Sequence, residues 1–179
     1  MRHAHHRASL LLSAAAWKTI LLDAHGRQGI EACGALLGQM DQEGNWYVEE
    51  AVPLRNIAAS PVYFEFDPAE LLLIELEQPD RMVGVYHSHP DGPALASSTD
   101  RKNMRRVNLE EDIPWVWLIV SGPFSQSPQA NSAENPETRQ EDTISARGLI
   151  AYHHYQQTGL QKIPIAQSKT EDDGSLQAL

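Results

Sequence analysis

The chain has 179 residues, of which 41% are hydrophobic, and this is enough apolar material for the core of one folded domain. Its formal net charge of −10 argues against a nucleic-acid-binding protein, because such proteins neutralise phosphates with lysine and arginine. No stretch approaches the roughly 18 apolar residues that cross a membrane, and one cysteine, Cys33, excludes an internal disulfide and a cysteine-rich structural zinc site. A lone cysteine also fits a reducing cytoplasm.

The N-terminal stretch MRHAHHRASLLLSAAAW has a basic start, an apolar run and a cluster of small residues, and it resembles a short signal peptide. The alternative that we favour is a strand over 8–12 followed by a helix over 14–26 that Ser13 caps. Apolar residues at helical spacing define one face of this helix: Trp17, Ile20, Leu21 and Ala24. Removal of such a helix would strip a layer from the core.

The first half of the chain then predicts a hairpin, in which strands 31–40 and 46–54 flank the turn DQEGN. The segment YFEF over 63–66 predicts another strand. It leads into a helix that Asp67 caps, with Pro68 at the first helical position and Glu70 completing a capping box.

The second half predicts strands over 81–90, 113–120, 144–156 and 161–167, with a helix over 98–112. Residues 124–142 are polar and aperiodic, which favours a surface insertion, and residues 171–179 are predicted to be a disordered tail. We therefore expect residues 1–170 to form a single α/β domain, with a mixed sheet and helices on its faces.

The stretch VYHSHPDGPALASSTD contains the candidate site. Side chains two apart in a strand point the same way, so His87 and His89 present both imidazoles to one side. Asp100, which opens the next helix, supplies a third ligand. Two histidines and one carboxylate, with a fourth position left for water, make a catalytic zinc site rather than a closed structural one.

Each of these residues also has an ordinary structural interpretation. A histidine near the end of a strand is often a hydrogen-bonded polar residue, Asp100 suits the first turn of a helix, and Ser97 or Ser98 suits its N-cap. The ordered combination of these residues favours the metal site.

This combination resembles the signature of the JAMM/MPN metalloprotease family, H-x-H-x7-S-x2-D, which falls on His87, His89, Ser97 and Asp100. An upstream segment of that family, E-x-C-G-x-L-x-G, is matched by EACGALLG from Glu31 onward. The resemblance covers roughly residues 9–167. It implies a mixed, partly barrel-like β-sheet flanked by helices, similar to that of cytidine deaminases.

The resemblance also implies one Zn²⁺ per chain, Glu31 as the general acid–base and Ser97 as the donor to the oxyanion. It implies hydrolysis of the peptide or isopeptide bond after the C-terminal glycine of a ubiquitin-like or sulfur-carrier protein. Only residues 101–114 separate Asp100 from the next strand, which resembles compact prokaryotic members. Asn56 resembles a family position near the substrate tail.

A basic cluster follows Asp100 directly and leaves two interpretations open; it consists of Arg101, Lys102, Arg105 and Arg106. They belong to a solvated helix face balanced by nearby acids, or they receive an acidic surface of the substrate. Cys33 lies in an apolar strand, which predicts a buried and inert thiol.

Three other functions have weaker support. A metal-free MPN scaffold typically lacks some of the ligands that this chain keeps. The E-x-C-G segment and the net acidity argue against a RadC-like protein associated with DNA repair. A base deaminase would need the P-C-x-x-C signature, which the sequence lacks.

Overall fold

A computed structural model describes residues 8–122 and 148–167 of the chain. These residues form eight strands and three helices, and a π-helical turn over Arg106–Glu110 extends the third helix. The elements are β1 (Leu10–Leu12), α1 (Ala14–Gly26), β2 (Cys33–Met40), β3 (Trp46–Leu54), α2 (Pro68–Glu77), β4 (Met82–His89), α3 (Ser98–Arg105), β5 (Val116–Ser121), β6 (Leu149–Tyr155), β7 (Gly159–Ile163) and β8 (Ile165–Gln167). The predicted insertion over 124–142 and the predicted tail over 171–179 lie outside the described residues.

All eight strands belong to one mixed sheet, in the order β7-β6-β5-β4-β2-β3-β1-β8. Strand β1 runs parallel to β3 and β8, and β4 runs parallel to β5. Strands β7 and β8 form opposite edges of this sheet, although only Pro164 separates them in the chain. The two edges must therefore come close together, and the sheet is nearly closed. This confirms the predicted mixed, partly barrel-like α/β fold.

Helix α1 begins as the sequence predicts. The Ser13 hydroxyl accepts a hydrogen bond from the Ala16 N–H at 3.0 Å, which caps the helix. Trp17, Ile20 and Ala24 are buried in the core on one face of the sheet. Among the described residues, no helix is long and apolar enough to cross a membrane.

Three local predictions are wrong. Residues 63–66 form no strand, and only Phe66 makes an isolated bridge, to Asn56. Glu70 does not complete a capping box, because its carboxylate accepts from the Arg55 N–H at 2.6 Å. The strand predicted over 161–167 is divided at Pro164, since proline has no N–H to donate to a ladder.

Candidate metal centre and catalytic site

The two histidines of the H-x-H motif lie at the end of strand β4 and face the same side of the sheet, as the sequence predicts. Nε2 of His87 lies 3.2 Å from Nε2 of His89. Ser88 between them fastens this strand to its neighbour, since its N–H donates to the Ala32 carbonyl at 2.8 Å and its Oγ accepts from the Ala32 N–H at 2.9 Å. Two hydrogen bonds therefore hold the central residue of the motif against Ala32.

Strand register brings Glu31 to the same place. Cys33 pairs with His87 in the antiparallel ladder of β2 and β4. The same register continued two residues further sets Glu31 opposite His89, on the face that carries both imidazoles. Glu31 is buried, with 5% of its surface exposed.

The glycine of the upstream motif has a packing reason. A Cβ atom at Gly34 would lie 2.4 Å from the Tyr86 ring and 2.4 Å from the Val52 carbonyl oxygen. Only glycine lets β2 approach its neighbours this closely, which keeps Glu31 in register with the histidines of β4.

The first turn of α3 supplies Asp100. Its Oδ1 lies 3.3 Å from His87 Nε2 and its Oδ2 lies 3.5 Å from His89 Nε2. Ser97 is the N-cap of the same helix and is exposed, whereas Asp100 is buried. The loop between β4 and α3 is fixed by Tyr152, whose hydroxyl donates to the Ala94 carbonyl at 3.0 Å.

The donor set of this cluster fits a zinc ion. One ligand atom from each of His87, His89 and Asp100 lies within 4.8 Å of the other two. His89 Nδ1 lies 2.7 Å from the Pro93 carbonyl, so Nδ1 carries the proton and Nε2 keeps the lone pair that binds a metal. Two imidazoles and one carboxylate are the ligands of a catalytic zinc site with an open position.

Burial and mutual hydrogen bonding control the charges of the cluster. Burial lowers the pKa of His87, which keeps this imidazole neutral and able to bind a metal. Burial also acts against a charged Asp100, but hydrogen bonds to His87 and His89 outweigh it and hold the pKa of Asp100 well below its ordinary value. For His89, the bonds to Asp100 and Pro93 likewise outweigh burial and raise the pKa.

Glu31 has the electrostatic properties of a general base. Burial raises the pKa of its carboxyl group from 4.5 to about 7, while the nearby His89 acts in the opposite direction. A carboxylate with a pKa near neutrality can both accept and release a proton at physiological pH.

The predicted substrate-binding residues differ in their exposure to solvent. Asn56 is buried, and its side-chain amide donates a hydrogen bond to the Glu31 carbonyl. Arg105 and Arg106 are exposed on the end of α3, where Arg105 pairs with Glu110 at 2.8 Å and Arg106 pairs with Glu111. Local pairing favours the solvated-face interpretation, and substrate contact by these residues stays a prediction.

Cys33 is fully buried, as predicted. Burial raises the pKa of its thiol to about 12, so little thiolate exists near neutral pH. The thiol is therefore no candidate nucleophile.

Sequence reasoning missed one residue of the site, Phe64. Its ring stacks on the His87 imidazole with centroids 4.6 Å apart and an interplanar angle of 28°. The aromatic alternation of YFEF predicts a strand, and no signal in the sequence relates this segment to the H-x-H motif.

Comparison with known proteins gives a family match over residues 13–136, to the prokaryotic homologs of the JAB domain. Two similar curated proteins are named desampylase. The one from Pyrococcus furiosus is 36% identical over 56% of this chain and 66% of its own length, and the one from Haloferax volcanii is 40% identical over 52% and 70%. A "Probable TtuB-protein conjugate cleaving protease" from Thermus thermophilus is 42% identical over 35% of this chain and 45% of its own length.

Solved structures support the fold. The solution structure of a protein from Desulfitobacterium hafniense matches with a TM-score of 0.63 and 23% identity, over 89% of this chain and 92% of that one. A second solution structure, from Salinibacter ruber, matches with a TM-score of 0.53 and 22% identity, over 90% and 94% of the two chains.

Proposed function

This chain belongs to the prokaryotic homologs of the JAB domain, and we propose that it is a zinc-dependent metallopeptidase. Its proposed reaction is hydrolysis of the peptide or isopeptide bond after the C-terminal glycine of a ubiquitin-like or sulfur-carrier protein. One Zn²⁺ per chain is held by His87, His89 and Asp100.

The observation that carries this proposal is the convergence of four side chains from three parts of the chain. His87 and His89 end strand β4, Asp100 opens α3, and Glu31 lies across the ladder from His89. The three ligand atoms lie within 4.8 Å of one another, and burial raises the pKa of Glu31 beside them to about 7. A general base next to a metal site with an open position is the arrangement that metal-assisted hydrolysis of an amide uses.

The relatives support the substrate class. The protein from Thermus thermophilus is named for the cleavage of TtuB–protein conjugates, and two relatives are named desampylases. The matched segments span 66%, 70% and 45% of these proteins, so their activity is carried over to this chain as part of the proposal.

Zinc and Glu31 have separate roles in the proposed reaction. Zinc, when bound, activates water near neutral pH and polarises the scissile carbonyl. Glu31 accepts a proton from the attacking water while the new C–O bond forms. It then passes this proton to the nitrogen of the leaving amine as the C–N bond breaks.

Ser97 has a separate role in this proposal. Its exposed hydroxyl donates a hydrogen bond to the oxygen of the scissile carbonyl, where negative charge develops in the transition state. Arg105 and Arg106 extend the site outward if they receive an acidic surface of the carrier protein. These roles depend on a substrate that lies across the first turn of α3.

Metal analysis of matched variants tests the metal part of the proposal. The wild-type protein is expected to hold about one zinc per chain, and His87→Ala is expected to lose it. His154→Ala is the control, because His154 lies on β6 outside the ligand cluster. Equal zinc contents in wild type and His87→Ala would contradict the assigned ligands.

A further inference from the structure

The segment from Asn56 to Phe66, which we call the site loop, crosses the catalytic cluster without forming a helix or a strand of its own. Its Ser60 carbonyl accepts a hydrogen bond from the Glu31 N–H at 2.8 Å. Its Phe64 stacks on the imidazole of His87. The loop therefore touches both the general base and one metal ligand.

Asn56 fastens this loop, and its amide group is fully used in doing so. The Nδ2 group donates to the Glu31 carbonyl at 3.0 Å and to the Tyr63 carbonyl at 3.1 Å. Its Oδ1 accepts from the N–H groups of Ala58 and Glu65, each at 3.1 Å. An amide side chain has two N–H donors and an oxygen with two lone pairs. No hydrogen-bonding capacity is left for a substrate.

The two histidine ligands are held in different ways. A metal-binding histidine usually donates its second ring nitrogen to a neighbouring acceptor, which fixes the orientation of the ring. His89 does so through Nδ1 and the Pro93 carbonyl. In contrast, His87 Nδ1 is buried with no partner among residues 8–122 and 148–167. The ring of Phe64 stacks on His87 instead. This stacking restricts rotation of the imidazole, as a hydrogen bond from Nδ1 would do.

We propose that Asn56 is a positioning residue of the proposed active site, which acts by fixing the backbone of Glu31 and by seating Phe64 against His87. This inference rests on the proposed function, and it gives Asn56 a different role from the substrate contact that the family resemblance implies. Loss of the amide leaves the Glu31 carbonyl and three part-buried backbone groups of the site loop without these partners. The loop then relaxes, and His87 loses its orienting contact.

The test compares Asn56→Ala with Asn108→Ala. Asn108 is also buried, and its Nδ2 also donates to two backbone carbonyls, those of Ile113 and Trp115, at 2.9 and 3.0 Å. Both variants should lose thermal stability. Only Asn56→Ala should lower kcat and weaken zinc binding, each by about tenfold or more, with KM unchanged. Equal effects of the two variants on kcat and zinc affinity would overturn the proposal.

A second pair of variants keeps the test decisive if Asn56→Ala does not fold. Phe64→Leu retains an apolar side chain but removes the stacked ring, whereas Phe64→Tyr retains the ring. Zinc affinity, measured by competition with a chelator, should fall about tenfold in Phe64→Leu and recover in Phe64→Tyr. An unchanged zinc affinity in Phe64→Leu would contradict the orienting role of the ring.

One readout needs neither zinc nor a substrate. In the zinc-free protein, the ring current of Phe64 should shift the NMR signals of the His87 imidazole protons. This shift should be lost in Asn56→Ala and kept in Asn108→Ala; the same shift in wild type and Asn56→Ala would overturn the proposal. If wild-type protein cleaves no conjugate, the proposed function fails, while the NMR and zinc measurements still decide the role of Asn56.

Discussion

Ser97 and Asp100 form two reciprocal hydrogen bonds at the start of α3. The N–H of Asp100 donates to Ser97 Oγ at 3.1 Å, and the N–H of Ser97 donates to Asp100 Oδ2 at 2.7 Å. This reciprocal capping box requires two residues three positions apart, which gives the S-x-x-D spacing a physical reason. The oxygen of the Ser97 hydroxyl is the acceptor in this pair, so its hydrogen can still be donated to a substrate. The same two side chains therefore cap the helix and take part in the proposed reaction, Asp100 as a metal ligand and Ser97 as a hydrogen-bond donor.

Substitutions at Ser97 should separate the two roles. Ser97→Ala loses the cap and the donor, so we expect a loss of about 1 kcal/mol in stability and a fall of about 10²-fold or more in kcat. Ser97→Gly should lose as much activity but only a few tenths of a kcal/mol in stability, because glycine is a tolerated N-cap. Denaturant unfolding and cleavage kinetics measure the two effects.

The adjacent Ser98 is the matched control, because it is exposed and lies outside the capping box. Ser98→Ala should keep both stability and kcat near wild type. A Ser97→Gly protein with wild-type kcat would remove the oxyanion role and leave Ser97 as a helix cap only.

The pKa of Glu31 predicts a pH-dependent stability in the zinc-free protein. Burial raises this pKa from 4.5 to about 7, so between these values the folded protein holds a proton that the unfolded chain has released. Stability from this group is therefore present below about pH 4.5 and is lost as pH rises through about 7. Glu31→Gln should be the more stable protein at pH 8, by up to about 3 kcal/mol.

Urea unfolding of zinc-free wild type and Glu31→Gln from pH 5 to pH 8 measures this difference, with Glu75→Gln as the exposed control on α2. The advantage of Glu31→Gln should shrink toward low pH, whereas Glu75→Gln should follow wild type throughout. A constant difference across the pH range would mean that burial does not raise the pKa of Glu31.

The thiol of Cys33 should be unreactive in the folded protein. It is fully buried, and its pKa is raised to about 12, so iodoacetamide at pH 8 should label it only after denaturation. Mass spectrometry of native and unfolded samples measures the labelling. Rapid modification of the native protein, with loss of activity, would reopen thiol chemistry for this site.

Charge reversal tests the basic end of α3. If Arg105 and Arg106 receive an acidic surface of the carrier, Arg105→Glu with Arg106→Glu should raise KM at low salt and reduce its salt dependence. Arg81→Glu is the control, because Arg81 pairs with Glu49 away from α3. Unchanged kinetics in the double variant would leave these residues as a solvated face paired with Glu110 and Glu111.

Features set by local spacing could be predicted from the sequence. Helix α1 and its Ser13 cap follow from one apolar stripe and one N-cap residue, and the same-face arrangement of His87 and His89 follows from the alternation of a strand. The spacing of Ser97 and Asp100 is also local, because both residues lie at the start of the same helix.

Features set by tertiary contacts could not be predicted. The YFEF segment has the composition of a strand, but Asn56 binds the backbone on both sides of Phe64 and holds it as an irregular loop. Glu70 suits a capping box, yet its carboxylate accepts from the N–H of Arg55, and the Asp67 N–H donates to the Arg55 carbonyl instead. In each case the partner comes from another part of the chain, where local propensity carries no information.

In the proposed reaction, Glu31 acts as a base beside a zinc ion that other residues hold. The decisive assay for this role is cleavage of a conjugate whose ubiquitin-like moiety ends in Gly-Gly, with zinc content measured on the same samples. We expect wild type to cut after the terminal glycine and to lose this activity when zinc is removed. Glu31→Gln should keep about one zinc but cleave about 10²- to 10⁴-fold more slowly. A zinc-loaded Glu31→Gln that cleaves as fast as wild type would show that Glu31 is not the base.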